Sequence, residues 1–300
     1  MVCGCIDIGS NTTRVLVADA RRGRLREVLQ RRAFTRIGKG LKPGDEIPRA
    51  KIEEVAAVVA SHRALAEEAG AHPVRTVATA AIRSAANREE FVDVVCERGG
   101  VEVSILEGEE EARLAFLGAT RTLGHRLEGR VGVVDVGGGS TEIAVGTVEG
   151  GVTWWASFRL GSGHLADEHL RSDPPTAAEL AVMHAHAVEV LETIAVPRPG
   201  AAVAVGGSAA SLRRLVGGKT LNEGTLRRAL DVLAQAPVSQ VAERLALDPE
   251  RVRLMPAGMV ILAAATQCLG CNLTIGNGGL REGVLLELAG GMIGGDAWPT

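Results

Sequence analysis

In Val134-Asp135-Val136-Gly137-Gly138-Gly139-Ser140-Thr141-Glu142, an acid sits between two valines, and three glycines and two hydroxyl residues follow. The pattern predicts a buried strand that ends in a tight turn. Near the N-terminus, Ile6-Asp7-Ile8-Gly9-Ser10-Asn11-Thr12-Thr13 has the same build. Such a turn aims backbone N–H groups at an anion, and an acid at the strand end can hold a cation. Two such turns, one per half of the chain, predict two facing jaws around one phosphorylated ligand.

Outward from these turns, each half reads the same way. Residues 2–8 and 14–19 flank the first turn as a hairpin, and 130–135 and 142–148 flank the second. A third strand follows in each half, arginine-rich from Arg21 to Arg36 and tryptophan-bearing from Val152 to Arg159. The arginine run reads as a solvated face or an anion-attracting rim. Trp154-Trp155 fits a strand facing the core or a subunit interface.

Apolar spacing at Ile52, Val55, Ala56 and Val59 predicts a helix over 50–70. A strand at Val74–Thr79, a turn at Ala80–Arg83, a helix carrying Phe91, Val94 and Val95, a strand at Val101–Leu106 and a helix over 109–123 complete the first half. The second half continues with helices near 162–171 and 176–195 and a strand at Ala201–Val205. Gly206-Gly207-Ser208 then leads into a helix. Further helices are expected over 222–235, 238–246 and 255–269, then a strand at Leu273–Ile275 and a helix from Leu280 to Leu288. The fold expected is α/β, a duplicated pair of domains with the active site in the cleft between the copies. The domains are 1–124 and 125–300, and the terminal helix is able to pack back on the first.

The composition narrows the function. The chain has 300 residues, 46% hydrophobic and 23% charged, with net charge −3. A general nucleic-acid binder calls for a basic balance, so that class is excluded. Aromatic content is 2%, with no Tyr, so platforms for stacking bases are scarce. No charge-free apolar run reaches membrane-spanning length and no signal peptide is evident, which predicts a cytoplasmic protein without a membrane partner. Five cysteines argue against a disulfide framework. Cys268-Leu-Gly-Cys271 has metal-ligand spacing but lacks a second well-spaced pair, so reduced thiols are expected. His184-Ala-His186 lies on a helix at a spacing that points the rings apart, so these read as surface or core histidines.

Five strings in order carry a family resemblance: Asp7-Ile-Gly-Ser-Asn-Thr-Thr-Arg14, Ala78-Thr-Ala-Ala-Ile-Arg83 with Asn87, Glu107-Gly-Glu-Glu-Glu-Ala-Arg113, Asp135-Val-Gly-Gly-Gly-Ser-Thr-Glu142 and Leu280-Arg-Glu-Gly283. Together they resemble the exopolyphosphatase and guanosine pentaphosphate phosphohydrolase (Ppx/GppA) family of the actin, hexokinase and heat-shock-chaperone superfold. The resemblance implies two actin/ribonuclease-H-like domains, hydrolysis of phosphoanhydrides and a homodimer. Gly206-Gly207-Ser208-Ala209 departs from the family's usual Gly-Thr or Gly-Gly-Thr turn but keeps a hydroxyl. Long family members append a helical domain that this chain, ending at Thr300, is expected to lack; processive digestion of long polyphosphate is then not expected.

Hydrolysis of a terminal phosphoanhydride needs held phosphates, neutralised charge and an aimed, activated water. Ser10, Asn11 and Thr12 in the first turn, Gly137, Gly138, Gly139, Ser140 and Thr141 in the second, and Gly207 and Ser208 are candidate phosphate donors. Arg14 and Arg83 offer guanidinium forks that suit phosphate. Asp135, Glu142 and Asp7 are candidate Mg²⁺ or Mn²⁺ ligands, and Asp135 and Glu142 can converge from opposite strands of one hairpin.

On the helix over 109–123, Glu109 and Glu110 face Arg113 as ion-pair partners. Glu111 instead heads the apolar stripe Leu114, Ala115, Gly118, where a carboxylate tends toward a raised pKa suited to a general base. The resemblance also carries the catalytic Glu onto Glu111. The expected substrate is short polyphosphate or guanosine pentaphosphate. The competing readings are an ATPase or phosphotransferase of the same superfold and a non-catalytic polyphosphate or alarmone sensor.

Overall fold

The computed structural model describes residues 1–21 and 23–292. The chain forms two compact units, Met1–Gly124 with Gly278–Thr300 and His125–Asn277. As a compact unit, the expected second domain of 125–300 thus stops at Asn277. The described residues from Gly278 to Met292 belong to the first unit.

In the first unit, β1 (Val2–Ile8), β2 (Thr13–Arg21), β3 (Arg24–Ala33), β4 (Val74–Ala78) and β5 (Val103–Ile105) form a sheet in the order β3-β2-β1-β4-β5. β1 and β2 form an antiparallel hairpin, and β4 and β5 run parallel to β1. β1 is buried on both faces because helices cover both sides. Ile6 and Ile8 point toward α1 (Arg49–Glu68) and α3 (Arg88–Gly99), where Ile52, Val59 and Phe91 fill one core. Cys3 and Cys5 point the other way, into a second core with Leu114 of α4 (Gly108–Thr122) and Val284 and Leu285 of α12 (Leu280–Met292).

Side chains alternate along a strand, so Asp7 shares the face of Cys3 and Cys5, toward α12. α4 and α12 pack closely at glycines. A Cβ at Gly118 would overlap the Gly279 carbonyl, and one at Gly283 would overlap the Leu114 carbonyl.

The second unit repeats the plan with β6 (Val131–Val136), β7 (Thr141–Thr147), β8 (Gly151–Phe158), β9 (Ala201–Val205) and β11 (Leu273–Ile275), joined by a short β10 (Thr220–Leu221). Its order, β10-β11-β9-β6-β7-β8, contains the first sheet's order with the same strand directions. This is the expected duplicated, actin-like α/β architecture. Its core gathers α5 (Ser162–His169), α6 (Ala177–Leu191), α7 (Gly206–Val216), α8 (Glu223–Ala234), α9 (Val238–Leu245) and α11 (Met255–Leu269). The stretch Pro249–Leu269 is long and apolar enough to cross a membrane, but 72% of the apolar window within it is buried inside the protein, as in a core helix.

Several elements differ from the sequence reading. α6 stops at Leu191, and β10 and α10 (Pro249–Arg253) were not expected. Strand alternation splits the tryptophan pair: Trp154 packs on the core and Trp155 is 39% exposed. The arginine run is largely an exposed edge strand; its Arg26, and Arg21 at the end of β2, reach Asp19 at 3.8 and 2.9 Å. Cys3, Cys5, Cys96, Cys268 and Cys271 are free thiols, and burial pushes those of Cys268 and Cys271 up.

Candidate active site

The two turns share one backbone. Gly9 N donates to Thr12 O at 3.0 Å, and Gly137 N donates to Ser140 O at 2.9 Å. A Cβ at Gly9 would sit 3.2 Å from the Thr12 carbonyl, and one at Gly137 3.1 Å from that of Ser140. Both positions therefore favour glycine. Among the described residues, the N–H groups of Ser10, Asn11 and Thr12, and of Gly138, Gly139 and Ser140, meet no protein acceptor. Each turn thus presents a row of backbone donors of the kind that binds oxyanions.

Around the first turn the charge is mixed. Asp7 pairs across the hairpin with Arg14. Burial pushes the Asp7 carboxyl up, while Arg281 and Arg14 pull it down. Arg14 Nε donates to Thr12 Oγ1 at 3.0 Å, so that hydroxyl already holds an arginine. Ser10 and Thr12 are buried, and the carbonyls of Ser10 and Asn11 accept from Gly38 and Arg36.

Glu111 stands in the first turn of α4 and is buried, as the apolar stripe required. Glu110 takes the ion pair instead, gripping Arg113 through both oxygens at 2.8 Å. Arg83, a candidate phosphate ligand, lies with its Nη1 3.0 Å from Glu111 Oε2 and donates from the same atom to Leu106 O. The apolar setting expected for Glu111 therefore includes a countercharge that the sequence reading did not place there.

In the second unit, Asp135 pairs directly across the hairpin with Glu142. Glu142 is 3% exposed, and its Oε1 accepts from Ser157 Oγ at 2.7 Å. Two carboxylates side by side form an all-oxygen donor set, which fits a hard cation such as Mg²⁺. The start of α5 clamps the turn: Ser162 N donates to Gly137 O at 2.9 Å, and Gly163 N to Gly138 O at 2.9 Å.

Thr141 corrects the sequence reading. Its hydroxyl donates to the Leu160 carbonyl, and the residue is fully buried. Successive strand residues point to opposite faces. With Glu142 on the face of Asp135, the Thr141 side chain has to go into the core. Only its backbone remains part of the turn.

The Ppx/GppA phosphatase family model matches residues 16–291 of the chain. The chain belongs to this family. It is a hydrolase of phosphoanhydride bonds. An uncharacterized protein of Streptomyces coelicolor is 32% identical over 94% of this chain and 88% of its own length. Exopolyphosphatase 1 of Mycobacterium tuberculosis is 29% identical over 96% of this chain and 88% of its own. The crystal structure of the Aquifex aeolicus Ppx/GppA family member superposes with a TM-score of 0.81 at 29% identity, covering 99% of both chains.

Seen within the Ppx/GppA family, Gly206-Gly207-Ser208 opens α7 and lies beside the second turn's acid. Gly206 has φ +82°, and a Cβ there would overlap Asp135 Oδ1, so only glycine fits. Ser208 is buried, with Gly258 of α11 against it.

Two arginines near these turns had no role in the sequence reading. Arg281, at the start of α12, acts on Asp7 from the far end of the chain. The string Leu280-Arg-Glu-Gly283 was the available signal, but nothing local ties it to Asp7. Arg251 is 8% exposed and donates to Gly207 O and Ser211 Oγ. It lies on the short α10, which no periodicity announced.

Proposed function

We propose that this Ppx/GppA family member releases terminal phosphate from inorganic polyphosphate of short chain length, from guanosine pentaphosphate, or from both. Glu111 is the base that activates water. The observation that carries the reading is the buried Glu111 carboxylate held by Arg83. A binding module has no need of such a group. The backbone donors of the two turns hold phosphate oxygens, and Arg14 adds a cationic fork. Asp135 and Glu142 hold Mg²⁺ or Mn²⁺, with Asp7 as a further candidate. When bound, that ion neutralises charge developing on the phosphoryl oxygens. Arg83 orients the Glu111 carboxylate. The same reading takes the protein as cytoplasmic and, from the family resemblance, as a homodimer.

Support for the substrate class comes from the relatives. One is an exopolyphosphatase, and another, from Aeromonas hydrophila, is a guanosine-5'-triphosphate,3'-diphosphate pyrophosphatase, 28% identical over 95% of this chain but 59% of its own length. The test is Mg²⁺-dependent phosphate release from polyphosphates of graded length, guanosine pentaphosphate and ATP, for wild type and Glu111→Gln. Turnover by the variant is expected to fall roughly 10²- to 10⁴-fold with binding retained, the usual contribution of a general base. Undiminished turnover removes Glu111 from the role. Tight polyphosphate binding by a wild type that hydrolyses nothing favours a sensor, and a preference for ATP favours an ATPase.

A further inference from the structure

Three ligand-type side chains outside the phosphate chemistry lie together in the second unit. His169 ends α5, and His186 lies on α6. His169 Nε2 and His186 Nδ1 are 2.8 Å apart and share one hydrogen bond. The rings meet edge-on, 85° between planes and 5.1 Å between centroids. Glu168 Oε1 is 3.9 Å from His169 Nε2, and one donor atom from each of the three residues falls within 4.8 Å of the others. The sequence reading discounted His186 because His184 points away from it. Its partner instead comes from the neighbouring helix.

We propose that Glu168, His169 and His186 form a binding site for one divalent transition-metal ion of the zinc, copper or nickel class, which rivets α5 to α6. Two imidazoles and a carboxylate suit these ions, whereas Mg²⁺ demands oxygen ligands. The site is thus chemically distinct from the Asp135–Glu142 pair. One of the two facing nitrogens accepts in that hydrogen bond and already offers a lone pair; the other gives its N–H proton up to solvent as the ion binds, so that both ligate as neutral imidazoles. Two nitrogens on one tetrahedral zinc stand roughly 3.3 Å apart, so the rings need to separate by about 0.5 Å and turn until both lone pairs converge on the ion. Three protein ligands leave one position for water, and Glu168 is 60% exposed on the solvent side.

The surrounding charges leave these donors available. Arg253 pairs with Asp167 at 3.0 Å. Arg171 directs its guanidinium to the carbonyls of Asp167, Glu168 and Leu170 rather than to the Glu168 carboxylate. The C-terminal end of a helix also favours a cation. The opposite end of α5 carries the Ser162 and Gly163 clamp on Gly137 and Gly138. The ion would therefore anchor the far end of the helix that holds the second turn.

The test is calorimetric titration of the full chain with Zn²⁺ in excess Mg²⁺, with Co²⁺ as a second probe read by its visible ligand-field bands. One equivalent is expected, lost in His169→Gln and His186→Gln, weakened roughly tenfold or more in Glu168→Gln, and retained in His184→Gln and in Cys268→Ser/Cys271→Ser. Circular dichroism confirms that each variant is folded. The proposal is overturned if folded His169→Gln and His186→Gln chains bind Zn²⁺ as the wild type does. It is also overturned if wild type binds none, or if binding disappears with the cysteines.

Discussion

Asp7 and Asp135 end equivalent strands and precede turns of one backbone, yet the residues across the hairpin from them differ. Asp7 faces Arg14, and Asp135 faces Glu142. Cross-strand neighbours on one face are the closest contacts a strand end has, so this one position sets the local charge. In the first unit it yields an acid beside arginines, suited to gripping an anion. In the second it yields paired acids, suited to a cation. The parallel neighbour differs too. Beyond Val77, opposite Asp7, comes Ala78; beyond Val205, opposite Asp135, comes Gly206, where a Cβ would overlap the carboxylate. Duplication supplied the same turn twice, and side chains next to the turns divided the labour.

The harshest way to break this contrast is Glu142→Arg, which gives the second hairpin the first one's pairing. Turnover is expected to fall about 10²- to 10³-fold, several kcal/mol of lost charge stabilisation, and Mg²⁺ should no longer stimulate it. An unchanged Mg²⁺ response would refute the assignment of the metal to this pair. Arg14→Ala strips the first hairpin of its cation. Loss of one charge-assisted hydrogen bond is about 1.5–3 kcal/mol, so kcat/KM should drop roughly 10- to 100-fold, mainly through KM. A drop carried by kcat alone would place Arg14 in the chemistry rather than in holding phosphate.

Gly206→Ala sharpens the contrast along the parallel neighbour. It imposes positive φ on a residue with a side chain and pushes it against Asp135, at a cost of about 1–3 kcal/mol in urea unfolding. An Ala78→Gly change in the first unit carries no such strain.

The smallest effect concerns Asp7. Its carboxyl is raised by burial, so the ionised form costs stability in the folded chain. That cost is fully present above the raised folded value and vanishes once pH falls below the ordinary carboxylate range, where both states are protonated. In metal-free protein, Asp7→Asn should therefore raise the denaturation midpoint at neutral pH, and the gain should close on acidification. A gain that is independent of pH would point to packing instead.

What the sequence made legible was local. Alternation and glycine placed both hairpins, and hairpin geometry set Asp135 against Glu142. A helical stripe turned Glu111 inward, and the repeated order of elements announced the duplication. What escaped was tertiary. Arg83 reaching Glu111, Arg281 reaching Asp7 and His169 reaching His186 each join separate elements, and no spacing rule links them. Thr141 is a different kind of miss. The period of two already forbade its side chain from sharing a face with Glu142, so the correct answer was available from the strand itself. The Asp248-Pro249 start of α10 was readable as a cap, but a helix of five residues shows no periodicity to confirm it.

The glycine contact between α4 and α12 has a consequence for biosynthesis. Leu114, Leu16 and Cys5 of the first unit complete their core only with Leu280, Val284 and Leu285. The whole of His125–Asn277 separates these two groups in the chain. On the ribosome, the second unit therefore has its full sequence before the first does, and the N-terminal half waits with an open apolar face until α12 emerges. Synthesis begins with the first unit, but that unit is the second to become complete.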